Sequence, residues 1–165
     1  MDNNQRAKII LKILNKIYPT TPIPLKHNSK FTLLISVLLS AQCTDLNVNN
    51  VTRDIYPKYN TPEHFVKLGR KKIETLIKSI GIFRVKAKSI YLLSKQLIKN
   101  HNSIVPKSFE ELEKLPGVGH KTSSVVMSQG FGQPAFPVDT HIHRLAQRWG
   151  LTNGKNVVQT EQDLK

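Results

Sequence analysis

Lys121 stands in the run L-P-G-V-G-H-K-T at residues 115 to 122, and Asp139 in P-V-D-T-H at residues 137 to 141. A primary amine in its free form attacks carbon and makes a Schiff base. A carboxylate beside it can stabilise the positive charge that develops on a sugar as a glycosidic bond breaks, and can help to deprotonate the amine. Gly117 and Gly119, with Val118 between them, lack the Cβ that would keep a backbone away from a phosphate, and amides at the following helix start would meet its charge. Lys121 falls in the first turn of that helix, where the helix dipole, with His120 if protonated, disfavours the ammonium form. Each part also has a plainer reading: a GxG that only joins two helices, a lysine that only salts a phosphate, an aspartate that only caps a helix. His141 and His143, with no further ligand near them in sequence, make poor evidence for a metal and read as structural or backbone contacts.

The elements that must hold these residues are all helical. Apolar Ile9, Ile10, Ile13, Leu14 and Ile17 recur at helical spacing, with Asp2, Asn3 and Asn4 available as caps and Pro19 beyond the end. The segment Phe31 to Leu39 is apolar on nearly every side and reads as a buried helix. Thr44 opens a helix through Ile55; Thr61 with Pro62 opens another, closed by Gly69. A helix from Arg70 to Ile80 is expected to end at a left-handed Gly81. A long helix is expected over 84–100, with Val85, Ile90, Leu93, Leu97 and Ile98 inward. Ser108 and Glu111 form a capping box for a short helix before Pro116. Further helices are expected over 119–129 and from Thr140 to Trp149, stopped by Gly150. No alternating strand pattern, repeat or low-complexity tract interrupts this all-α reading.

Composition points to a polyanionic partner. Against 25 Lys and Arg stand 11 Asp and Glu, a formal charge of +14. Between Lys67 and Lys99 many lysines and arginines, Lys86 among them, face only Glu74, which suits either phosphate contacts or a solvated helix face. The first residues lack a secretory pattern, and no stretch nears about 18 uninterrupted apolar residues, so a soluble intracellular protein without membrane contact is expected. Cys43 is the single cysteine, which excludes an intrachain disulfide or a several-thiolate metal site within these residues.

Taken together, L-P-G-V-G-H-K-T and P-V-D-T-H-I-H-R resemble the helix-hairpin-helix, Gly-Pro-Asp superfamily of DNA glycosylases, and within it the endonuclease III family. The resemblance extends to L-L-I-S-V-L-L-S-A-Q-C-T-D at 33 to 45, I-K-S-I-G-I-F-R-V-K-A at 77 to 87 and G-K-N-V at 154 to 157. It implies a bifunctional glycosylase and abasic-site β-lyase that removes oxidised pyrimidines from damaged double-stranded DNA in base excision repair, working as a monomer in a bacterial cytoplasm. Lys121 would be the nucleophile at C1′ and Asp139 its carboxylate. Gln42 would fill the gap left by an extruded base, and Ile82 would wedge into the duplex. Gly117, Val118, Gly119, His120, Thr122 and His141 would meet the DNA backbone.

Adenine glycosylases of the superfamily carry a glutamate early in the buried helix where this chain has Ser36, and usually lack the hairpin lysine. The pyrimidine branch is therefore expected. Ser123 and Ser124 replace the more usual Ala-Asn, and Cys43 a frequent alanine. The fold implied is a six-helix central domain, about 22–132, with a second helical domain represented only in part by 1–21 and 133–165. Endonuclease III normally ends in four cysteines that hold a [4Fe-4S] cluster. Here no cofactor is expected unless a further C-terminal segment carries them, and a catalytically impaired helix-hairpin-helix DNA-binding fragment is the alternative.

Overall fold

Short polar side chains set where the helices begin. The computed structural model describes residues 1–165, and no strand forms among them. Asp2 caps α1 (Asn3–Ile17), Ser29 caps α2 (Lys30–Ser40) and Thr44 caps α3 (Asp45–Ile55), each accepting the amide three residues on. Thr61 caps α4 (Pro62–Leu68), Pro62 supplying the first position. After α5 (Arg70–Leu76) and α6 (Phe83–His101), Ser108 caps α7 (Phe109–Glu113). Then come α8 (His120–Val125), a π-helical turn (Val126–Gly130), α9 (Thr140–Arg148) and α10 (Val157–Leu164).

Internal contacts divide the chain into two compact units, Pro24–Ala135 and Met1–Ile23 with Phe136–Lys165. In the first, α2 is the centre: Phe31 to Leu39 are all buried, whichever way they point. Burying each large apolar side chain stabilises by about 2 kcal/mol, so a helix without a solvent face commits its neighbours to surround it. The α4, α5 and α6 helices pack on one another, and Phe65 of α4 meets Phe31 edge-on at 5.7 Å. Ser36 lies fully buried, 2.6 Å from the Tyr56 hydroxyl, which donates onward to the Thr32 carbonyl at 3.0 Å. In the second unit, Asn3 and Arg6 of α1 donate to the carbonyls of Leu151 and Gly150 at 3.5 and 2.5 Å. No residue of α1 is buried, and Ile9, Leu11, Ile13 and Ile17 are each about half exposed.

Four local expectations are corrected. Helix α5 stops at Leu76 rather than Ile80, because Ile77 and Ile80 both turn into the core, and a tight turn joins them through a 2.8 Å amide-to-carbonyl bond. The left-handed residue after it is Ile82, at φ 50°, and not Gly81. On α6, Val85 is 62% exposed and Ile98 lies at the edge of the buried face. At about 100° per residue the stripe through Ile90, Leu93 and Leu97 takes in Lys86 and Ala87 instead. The helix expected over 119–129 breaks at Val126 into the π turn, where Val126 and Met127 are both buried and Gly130 lies tightly against Leu33 of α2.

Candidate active site

Helices α7 and α8 form a hairpin whose connection is Lys114–Gly119. Its two glycines differ in what holds them. Gly117 has φ 78°, and a Cβ there would lie 2.7 Å from the Ser89 Cβ and 3.1 Å from Leu38 Cδ1. Both conformation and space demand glycine. Gly119 has an ordinary φ of −95° and nothing within 4 Å of a Cβ position, so its backbone faces open space. Val118, between them, anchors the turn with its side chain buried and offers only its backbone outward.

From Gly119 the chain enters α8. His120 stacks on Phe109 at 6.0 Å and bonds the Glu113 carboxylate through Nδ1 at 2.9 Å. A carboxylate only accepts, so Nδ1 carries the hydrogen. The same Glu113 oxygen accepts from the buried Ser123 hydroxyl at 2.8 Å, which ties α7 to α8. Lys121 is exposed in the first turn of α8, and Thr122 beside it is half-buried. Gly117 to Thr122 thus run from the hairpin connection into the first turn of α8.

Gln42 and Ile82 form a second feature of the same unit. Both are exposed, and both have left-handed backbone, φ 54° and 50°, which costs a residue with a Cβ of order 1–3 kcal/mol. Gln42 follows the end of α2, and its carbonyl is 3.7 Å from the Cβ position of Gly81, so the two turns meet. Asn47 of α3 braces them with a 3.1 Å bond to the Ser79 carbonyl. Ile82 at 57% exposure is no core contact; an isoleucine held in water by a strained turn is placed for a partner.

Asp139 lies in the other unit, at the start of α9. Its Oδ1 accepts the amides of His141 and Ile142 at 3.0 and 2.9 Å, so the plain capping role is filled. His141 is exposed and meets Arg144 at 3.3 Å, while His143 bonds the Thr160 hydroxyl at 2.7 Å, each a protein contact.

Sequence reasoning counted Lys86 among the basic residues suited to phosphate contacts or a solvated face, whereas it is buried, and it passed over Glu113. Lys86 falls on the apolar stripe of α6 in phase with Ile90 and Leu93, and a lysine in that phase was the available signal; Glu113 gave none. The [4Fe-4S] cluster tied to the family does not fit these 165 residues, whose one cysteine, Cys43, bonds Asn47 at 3.3 Å and can provide a single thiolate. No chemistry is derived through a cluster.

An all-helical frame that presents a glycine hairpin, a lysine and two strained outward turns defines a DNA-repair glycosylase of the helix-hairpin-helix class. Residues 35–165 match the family model described as HhH-GPD superfamily base excision DNA repair protein. The endonuclease III of Rickettsia prowazekii is 44% identical over 155 residues, 94% of this chain and 73% of the relative. That of Escherichia coli K12 is 44% identical over 165 residues, 99% of this chain and 77% of the relative. Among solved structures, a trapped endonuclease III-DNA covalent intermediate superposes with a TM-score of 0.91 at 41% identity, over 99% of this chain and 77% of that one. The chain belongs to the endonuclease III family of the HhH-GPD superfamily.

Proposed function

We propose that this chain is a bifunctional glycosylase and abasic-site lyase acting on oxidised pyrimidines in double-stranded DNA, on the chromosome of a bacterial cell. The observation that carries the reading is Lys121, exposed directly after the Gly119 turn, in a fold shared with a relative captured as a covalent intermediate with DNA. The Lys121 amine attacks C1′ of the damaged nucleotide, the C1′–N bond breaks, and the base departs with the bonding electrons and a proton. The sugar opens to a Schiff base on Lys121. Loss of a proton from C2′ then expels the 3′ phosphate by β-elimination, and water releases the enzyme. The Asp139 carboxylate is assigned the developing positive charge and the proton of the attacking amine. The Gly119 backbone and the amides of α8 take a phosphate, with His120, Thr122 and His141 as further backbone contacts. Gln42 and Ile82 enter the duplex where the base has left. Ser36, buried against Tyr56, leaves no carboxylate at the adenine-glycosylase position, which favours the pyrimidine substrate.

Borohydride reduction of the chain mixed with a thymine glycol duplex should give a covalent adduct that Lys121→Ala abolishes. An adduct that survives Lys121→Ala sinks the assignment. Binding without an adduct in the unaltered chain identifies a DNA-binding fragment without lyase chemistry. For Asp139, Asn keeps the helix cap and removes the charge. Asp139→Asn is therefore expected to unfold near the unaltered chain yet react about 100-fold more slowly, whereas Asp139→Ala also loses about 1 kcal/mol of stability.

A further inference from the structure

Lys86 is a buried cation that none of the chemistry above uses. Its ammonium donates to the Leu39 carbonyl at 2.9 Å and the Ala41 carbonyl at 2.6 Å, and the residue is 4% exposed. These acceptors belong to the last turn and C-cap of α2, where carbonyls lack helical partners and the dipole is negative. Ala41 immediately precedes Gln42. At its other end, the Lys86 amide donates to the Ile82 carbonyl at 3.1 Å. One residue is thus bonded to the Ile82 turn through its backbone and to the Gln42 turn through its side chain. Burial pushes the ammonium below the usual lysine range, and Cys43 nearby acts the other way. Both acceptors bonded to Nζ are backbone carbonyls, at the base of two strained residues.

We infer that Lys86 is a positioning residue that locks the Gln42 and Ile82 turns into one rigid two-pronged probe, and so governs entry into the duplex and base extrusion rather than the bond-breaking steps. The inference rests on the reading above that Gln42 and Ile82 enter the duplex. Removing the ammonium leaves Leu39 and Ala41 without their donor and lets the two turns drift apart. Misplacement of about 1 Å in a positioned group can cost about 100-fold in rate.

The test is a mutant cycle. Lys86→Met, Gln42→Ala with Ile82→Ala, and the triple variant are compared for single-turnover excision of thymine glycol from duplex DNA, and 2-aminopurine beside the lesion reports unstacking. Lys86→Met should slow excision and weaken the unstacking signal about 10- to 100-fold. In the Gln42→Ala, Ile82→Ala background, the same change should add less than about 2-fold. A full additional loss there overturns the positioning role, since a purely structural lysine would act in both backgrounds. If Gln42→Ala with Ile82→Ala leaves excision and unstacking unchanged, the entry reading itself fails and takes this inference with it. Should Lys86→Met not fold, Lys86→Gln, which keeps a donor at shorter reach, enters the same cycle and is judged by the same comparison.

Discussion

Gly117 and Gly119 look alike in sequence and do different work. At Gly117 the left-handed backbone and the Ser89 and Leu38 side chains both exclude a Cβ. Gly117→Ala should therefore cost about 3 kcal/mol of stability, the sum of conformational strain and overpacking. Gly119→Ala meets nothing within 4 Å and keeps an ordinary φ, so its fold should hold to within about 1 kcal/mol while duplex affinity falls several-fold. Denaturant midpoints beside anisotropy titrations would read both, and the reverse order would contradict the phosphate cradle. At this scale the sequence was informative about residue types and silent about conformation. The resemblance singled out Ile82, but the left-handed backbone found there was expected on Gly81, the residue that bears such a φ most easily. The fold instead puts the strain on isoleucine, bracing it from α3 through Asn47 and from α6 through Lys86.

Helix starts were legible because each cap is a local event between a side chain and an amide three residues away: Asp2, Thr44, Thr61 and Ser108 all fall where composition puts them. Ends and faces were less so. The buried stripe of α6 admits Lys86 and Ser94 and leaves Val85 in solvent, because that face is defined by what α2, α4 and α5 bring to it. The π turn at Val126 was likewise unreadable, since it answers the packing of Gly130 against Leu33. Ser94 shows the cost of a polar group on such a face: it is fully buried and its hydroxyl has no hydrogen-bond partner. Ser94→Ala should stabilise the chain by about 0.5–1 kcal/mol, from the relieved desolvation of the hydroxyl and the higher helix propensity of alanine. A lower urea midpoint for this variant would show that Ser94 serves α6 in a way its geometry does not reveal.

For the molecule as a whole, the excess of 25 basic over 11 acidic residues sets how it meets DNA. A complex that neutralises about six phosphates should lose roughly 1,000-fold in affinity between about 50 and 200 mM salt through counterion uptake. A titration flat across that range would remove the electrostatic account of binding. The division into units has a different consequence. Pro24–Ala135 is one continuous stretch, whereas the other unit joins the first 23 residues to the last 30, with Arg6 bonded to Gly150 across 144 positions of chain. On the ribosome the two cannot mature together. At about 5–20 residues per second, α1 emerges on the order of ten seconds before the segment it pairs with. Through that interval Ile10 and Leu14, half-buried in the finished unit, have no partner of their own unit to cover them. The hairpin of α7 and α8 is finished first, and the N-terminal helix, made earliest, is among the last parts to find its place.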